Sequence, residues 1–380
     1  MPDSVVLPRD GRGPKRGKEF ALVTMKDVAI AAGVSMASVS NAYNRPHKLS
    51  ASQREHVLRI AKDLGYNGPH PGASLLRTGS SGAFGLMITD WLPYAFEDPA
   101  TILLMQGIAQ AGQVAQMSLS LLPVGGAIPT DGSAADDMWP AVQRSLVDGF
   151  LLYSLPDDHP AVTSALRRRL PVVCIDAPDL PDVPFVGIDD EGAARLAAEH
   201  LLELGHTRIG ILVDRLRPDA VSGIASQARV RRATDGVARA RLKGYASAFK
   251  AAGVPVRDIP VVEAGGFLAA EAAQAATTLL DRYDVTAVLA TTDVLALAAL
   301  DELEAKGISV PDQVSVIGFD DLPAAAARGV TTIAQPHVEK GRRAAEMLLQ
   351  LLDDQVVGRV TLPTGLCVRT TTAPPVRRSR

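Results

Sequence analysis

Between residues 24 and 66 the apolar positions recur at the three-and-four spacing of helices. From Phe84 onward the pattern changes to short apolar runs separated by amphipathic stretches. Thr24 with Asp27 three residues on is a capping-box pattern and starts a helix at Met25, whose buried face carries Val28, Ala29 and Ala32. Gly33 can take the left-handed backbone that ends this helix, Ser35 caps a second, and Val39 lies on its inner side. Ser50 and Gln53 repeat the capping-box pattern, Val57, Leu58, Ala61 and Leu64 form a third apolar face, and Gly65 supplies the stop. The spacing therefore predicts a three-helix head over 23–66 in which Thr24–Asn44 is a helix-turn-helix. Small residues at Ala29, Ala32 and Gly33 let the two helices cross closely.

Downstream, FGLMITD, SLSLLPV, GFLLYSL, PVVCID and PFVGID read as strands, with helices near 99–116, 136–147, 158–169 and 190–204 between them. The pattern then restarts with IGILVD, a polar insertion from Arg215 to Thr234, a helix over about 235–252, PVVEAG, a further helix, VTAVLATTD, a helix over 294–306 and VSVIGFDD. Alternation of this kind predicts two open parallel sheets covered by helices, with a ligand cleft at the carboxyl ends of the strands. Residues 67–82 are a linker by composition. Within it Ala73-Ser74-Leu75-Leu76-Arg77 is helix-compatible but too short to be stable unaided.

Composition sharpens this division. Residues 1–80 hold 12 Lys and Arg against 6 Asp and Glu, leaving 27 against 36 in the remainder, so a basic head precedes an acidic body. Residues 1–22 read as a disordered basic tail and 376–380 as a second short tail. Cys174 and Cys367 are isolated, which gives neither a disulfide framework nor metal-ligand spacing and suits a reducing cytoplasm. His200 and His206 have no partners at such spacing and read as structural. There is no long uncharged apolar segment for a membrane span, no apolar core of a signal peptide, and no catalytic constellation, so neither an enzyme nor a cofactor or metal is expected. A small-molecule receptor without operator-specific DNA binding is the alternative to a DNA-binding regulator, and the basic head speaks against it.

On the second helix the residues left outward are Met36, Ala37, Ser38 and Asn41, suited to the edges of bases in a major groove. The head TMKDVAIAAGVSMASVSNAYN, the segment GIDDEGAARLAAEHLLELGHTRIGIL, the stretch VPDQVSVIGFDD and the near-terminal VTTIAQP together resemble the lactose-repressor (LacI/GalR) family of bacterial transcription regulators, from Thr24 to about Pro375. The resemblance implies an all-α helix-turn-helix head on an α/β body of two doubly wound parallel-sheet lobes, of the periplasmic-binding-protein-like type I. The body spans 83–375, with an N-lobe of about 83–187 and 337–362 and a C-lobe of about 188–336 and 363–375.

It further implies a homodimer on a palindromic double-stranded operator, controlled by a small polar effector such as a sugar, and most simply a repressor. By the same resemblance Thr24, Ser35, Met36, Ala37, Ser38, Asn41 and Asn44 face DNA, and Leu76 is the hinge-helix residue wedged into the minor groove. Family members usually carry Arg where this chain has Asn41, which implies a different base preference there. Pro71 and Gly72 imply a looser hinge. For the effector the resemblance points to Asp293, Arg241 and Asp320, while Trp91 and Phe96 are candidate stacking platforms. Two plainer readings stay open: Asp293 as a helix N-cap, and Arg241 as one more solvated base beside Arg231, Arg232 and Arg239. The tail APPVRRSR has no Leu heptads that would support a coiled-coil tetramer.

Overall fold

The computed structural model describes residues 23–68, 79–89, 92–125 and 139–376. The tail at 1–22, the centre of the linker with Leu76, Trp91, and all but the first residue of the tail 376–380 lie outside the described residues. The chain divides after Ser81 into two compact units.

The first unit is three helices: α1 (Met25–Ala31), α2 (Met36–Asn44) and α3 (Ala51–Asp63). The capping box at α1 is complete, with the Thr24 N–H donating to Asp27 Oδ2 at 2.8 Å and the Asp27 N–H returning to Thr24 Oγ1 at 3.4 Å. Ser35 caps α2 by accepting from the Ser38 N–H at 3.1 Å. Ser50 caps α3 in the same way, but Gln53 does not reach back, so that capping box is only half formed. Gly33 and Gly65 both adopt positive φ, 62° and 74°, where the chain must leave a helix. The core is Val28, Ala29, Ala32, Val39, Ala42, Val57, Ala61 and Tyr66. Tyr66 extends the head beyond α3 by packing edge-on against Tyr43 at 5.9 Å, a contact that apolar spacing within the helices does not announce.

The second unit holds two sheets. The N-lobe sheet is entirely parallel, built from β1 (Ala83–Ile88), β2 (Ser118–Pro123), β3 (Gly149–Tyr153), β4 (Val172–Ile175), β5 (Phe185–Ile188) and the late strand β12 (Arg359–Leu362), in the order β12-β5-β4-β3-β1-β2. Its helices include the single turn α4 (Tyr94–Glu97), α5 (Pro99–Val114), α6 (Pro140–Arg144) and α7 (Pro160–Arg167).

The C-lobe sheet contains β6 (Ile209–Val213), β7 (Gly223–Ile224), β8 (Val261–Glu263), β9 (Ala287–Ala290), β10 (Ser315–Asp320), β11 (Thr331–Ala334) and β13 (Gly365–Cys367). Their order is β13-β11-β10-β9-β6-β8-β7, parallel except for the two antiparallel edges β7 and β13. Its helices are α8 (Asp190–Glu203), α9 (Gln227–Arg231), α10 (Gly236–Ala251), α11 (Ala269–Arg282), α12 (Asp293–Ala305) and α13 (Pro323–Ala327). The insertion at 215–234 is thus more than a longer loop, since it supplies both β7 and α9.

The chain passes between the lobes three times: after β5, between β11 and α14 (His337–Leu352), and between β12 and β13. α14 belongs to the N-lobe and lies tight against α5. A Cβ on Gly107 would stand 1.9 Å from the Val338 carbonyl oxygen, and one on Gly341 would stand 2.0 Å from that of Leu104. Only glycine permits this approach. Each sheet is sandwiched between two apolar layers, which is why its strands read as continuous apolar runs and not as alternating ones.

Candidate functional sites

In the head, Ser35, Met36 and Ala37 at the start of α2 are exposed, Met36 to 53%, while Ser38 and Asn41 are half-buried on the same helix. Thr24 is exposed at the start of α1. Asn44 is the last residue of α2. Val39 and Ala42 are buried, so the α2 surface opposite the core is made of short polar and apolar groups with no charge. Such a surface is of the kind that can meet base edges by hydrogen bonds and methyl contacts. Positive charge lies elsewhere in the unit, as at Lys26, Arg45 and Lys48.

In the body, the carboxyl ends of the central strands from both lobes enclose a cavity of about 80 Å³. Thr89, Tyr94, Asp98, Tyr153, Ser154 and Asp176 line it from the N-lobe side. Asp214, Arg215, Asp235, Arg241, Phe267, Thr291, Thr292 and Asp320 do so from the C-lobe, and Gln335 and His337 from the crossover between β11 and α14. Several of these strand-end residues hold left-handed backbone without being glycine: Ser154 (φ 48°), Asp176 (φ 61°) and Asp320 (φ 126°). Strain of this kind costs on the order of 1–3 kcal/mol each and concentrates where a fold aims side chains at a ligand.

Arg241 is buried and far from a solvated base. Its Nε donates to Asp190 Oδ1 at 2.8 Å, its Nη1 donates to the Thr291 carbonyl, and its guanidinium lies 3.7 Å from the centre of the Phe319 ring. Burial opposes its charge, but Asp190 and Asp320 outweigh it and hold the pKa above the ordinary Arg value. Asp320 accepts from Gln335 Nε2 at 2.7 Å and stands 3.5 Å from His337 Nε2, with its face toward the cavity.

Asp293 departs from its expected place. Thr292, not Asp293, caps α12, accepting from the Leu295 N–H at 3.4 Å. The Asp293 side chain turns inward, where Oδ2 accepts from the Leu322 N–H at 2.7 Å and Oδ1 from the Thr332 hydroxyl at 2.6 Å. Room for it exists because residue 318 is glycine, whose Cβ would lie 2.2 Å from Asp293 Oδ1. The carboxylate is fully buried and does not line the cavity. Burial and the nearby Asp320 push its pKa up to about 7. The strand-end carboxylate that does face the cavity from this region is Asp214, held by the Thr291 and Thr292 hydroxyls at 2.8 and 2.9 Å and pushed up to about 6 by burial.

Phe96 is likewise displaced from its expected role. It is 62% exposed on the outer side of the single turn α4 and does not line the cavity. Two residues apart on a helix is about 200°, so it is Tyr94 that turns inward, 5.2 Å from Phe267.

Beneath the cavity a polar network joins the lobes. Lys340, 0% exposed, donates to Asp176 Oδ2 at 2.8 Å and to Gln335 Oε1 at 2.5 Å, and Gln335 in turn holds Asp320. The sequence did carry a signal for it, because Lys340 sits on the same face of α14 as Ala344 and Leu348, where an amphipathic helix should be apolar. His200 and His206, outside the cavity, are structural. His200 bonds Thr372, and His206 bonds Thr286 and the Ala373 carbonyl, pinning the C-terminal segment to the C-lobe.

A helix-turn-helix head joined to a two-lobed body with a polar cavity at its strand ends defines a ligand-binding DNA-binding regulator. Residues 24–68 match the model for bacterial regulatory proteins of the lacI family, and residues 198–372 match a periplasmic binding protein-like domain. A helix-turn-helix-type transcriptional regulator from Mycobacterium tuberculosis is 44% identical over 86% of this chain and 90% of its own length. The crystal structure of the lac repressor dimer bound to operator and an anti-inducer is 26% identical, with a TM-score of 0.74 over 92% of this chain and 99% of that one. A complex of the transcriptional regulator CelR with cellobiose is 29% identical, with a TM-score of 0.62 over 92% and 99%. The chain belongs to the lacI family of bacterial transcriptional regulators and is not an enzyme. Among the described residues no helix is long and apolar enough to cross a membrane, and no group of His, Cys, Asp or Glu is placed to hold a metal.

Proposed function

We propose that this regulator is a repressor that binds a palindromic operator as a homodimer and is released by a small neutral polyhydroxylated molecule of the sugar class. The observation that carries the ligand class is the chemistry of the cavity. Asp98, Asp176, Asp214, Asp235 and Asp320 offer carboxylate oxygens, Arg215 and Arg241 offer fixed donors, and Tyr94, Tyr153 and Phe267 offer apolar ring faces. Hydroxyl groups satisfy both kinds of partner, whereas an anionic ligand would meet the carboxylates. Cellobiose in the CelR complex is a ligand of this class.

Ser35, Met36, Ala37, Ser38, Asn41 and Asn44 read bases or position α2, Thr24 positions α1, and Leu76 wedges the minor groove at the operator centre. Asn41 favours adenine where relatives with Arg favour guanine. Two heads are required because one makes too few contacts for a selective site. The lac repressor structure, a dimer on its operator, supports this assembly. Ligand binding changes the lobe arrangement across the three crossovers, and ligand and operator alter each other's affinity reciprocally. Arg241, Asp320 and Asp214 contact the ligand, and Asp293 acts by fixing the backbone at Leu322.

Gel-shift titration on the palindromic DNA upstream of its own gene, at physiological salt, tests the reading. Binding no tighter than to scrambled DNA would refute it.

A further inference from the structure

From the insertion at 215–234, Arg215 lines the cavity. Arg215 reaches from the C-lobe across to the N-lobe, where Nη2 donates to Thr89 Oγ1 at 2.9 Å. Its guanidinium sits 4.6 Å from the Phe267 ring centre and 3.6 Å from Asp235 Oδ2. Phe267 in turn meets Tyr94 at 5.2 Å. Thr89 and Tyr94 from one lobe, with Arg215 and Phe267 from the other, therefore form a continuous partition.

On its far side lies a second cavity of about 450 Å³, lined by the same four residues together with Glu97, Val124, His159, Pro218, Asp219, Gly265 and Glu271. The insertion is held rigidly behind the partition. Glu263, 1% exposed, accepts from the Leu216 N–H at 2.7 Å and from Arg229 Nε at 2.5 Å, and Arg229 also grips Asp219 at 2.7 Å.

We infer that Arg215 is the size-selecting residue of the effector site, and that it restricts the effector to a single polyhydroxylated ring. This rests on the effector reading above. The inner cavity, about 80 Å³, is much the smaller of the two spaces that the partition separates. The neighbouring 450 Å³ would take a second ring only if the partition opened. Opening it costs the buried Arg215–Thr89 bond and the Arg215–Phe267 stack together, because both are made by one guanidinium.

The test is made on the full chain in two arms. In the first, Ser154→Cys places a thiol on the inner cavity in a Cys367→Ser background, and labelling rates are compared for methyl and benzyl methanethiosulfonate. Arg215→Ala should accelerate the benzyl reagent by about ten-fold or more while changing the methyl rate little. Phe267→Ala, which leaves no buried carboxylate unpaired, should do the same and serves if Arg215→Ala unfolds. Unchanged benzyl rates in the folded variants overturn the proposal whether or not any sugar binds.

In the second arm, native mass spectrometry with ribose, glucose and cellobiose should show monosaccharide binding by wild type and added cellobiose binding by the variants. Wild type that binds cellobiose as tightly as glucose overturns size selection. Accelerated labelling with no sugar bound by either protein leaves the partition standing and overturns the single-ring effector with the sugar-class reading beneath it.

Discussion

Lys340→Met should lower the stability of the body by about 3–5 kcal/mol, because it leaves the Asp176 carboxylate, only 9% exposed at the edge of the cavity, without its counter-charge. Lys340 has no exposed surface, and its ammonium lies 2.7 and 2.8 Å from the two oxygens of Asp176. Methionine fills the aliphatic volume, so cavity formation adds little and the loss measures the uncompensated charge. For a unit of roughly 300 residues the unfolding entropy is about 0.6 kcal/mol/K near 60 °C. A 4 kcal/mol loss then lowers Tm by about 6 °C. Adding Asp176→Asn to Lys340→Met removes the orphaned charge and should recover at least half of that shift. Differential scanning calorimetry of the full chain gives both numbers. A Lys340→Met protein that melts with wild type, or a double variant no better than the single one, would refute the view that Lys340 is the counter-charge on which Asp176 depends.

Arg241→Lys should keep operator binding but weaken the effector response by about ten-fold or more, since an ammonium cannot reproduce the fork that spans Asp190, Thr291 and Phe319. A normal response in a reporter assay would remove Arg241 from the ligand site. For Asp214 the folded pKa of about 6 lies above its ordinary value of 3.8, so its contribution is fully present below about pH 4 and is lost as pH rises through 6. Asp214→Asn should accordingly gain on wild type in urea midpoint between pH 4.5 and 7.5, and a difference independent of pH would contradict the shift. Asn41→Arg should move operator preference from A·T toward G·C at one position of each half-site, read by selection from a randomised operator library. Leu76→Ala should weaken operator binding and leave effector binding unchanged; equal operator affinity in a gel shift would show that the wedge is elsewhere.

Much of the body is legible in the sequence because its strands are buried on both faces, so each reads as an uninterrupted apolar run bounded by polar helix faces. The runs IGILVD, PVVCID and VSVIGFD also end in Asp, and those three carboxylates, Asp214, Asp176 and Asp320, do converge at the strand ends. What spacing does not encode is which way a side chain turns once it leaves the strand. Asp293 and Asp214 both follow strands in the same sheet. Gly318 admits one into the core while two threonine hydroxyls hold the other at the cavity. The partition formed by Arg215, Phe267, Thr89 and Tyr94 is invisible for the same reason. Its members lie up to 178 positions apart and meet only when two lobes close on each other.

The late return of the chain to both sheets sets a constraint on synthesis. β12 completes the N-lobe by pairing with β5, Arg359 opposite Phe185, and β13 then closes the C-lobe against β11. At about 5–20 residues per second, roughly ten to thirty seconds separate the emergence of the two partners from the ribosome. Throughout that interval β5 is an unpaired sheet edge without α14 to cover the adjoining face, the condition under which nascent chains associate wrongly. The head has no such wait, since all its contacts are within 44 positions of one another. A nascent polysome therefore carries finished heads on unfinished bodies, and chaperone occupancy should peak while residues 190–360 are being made.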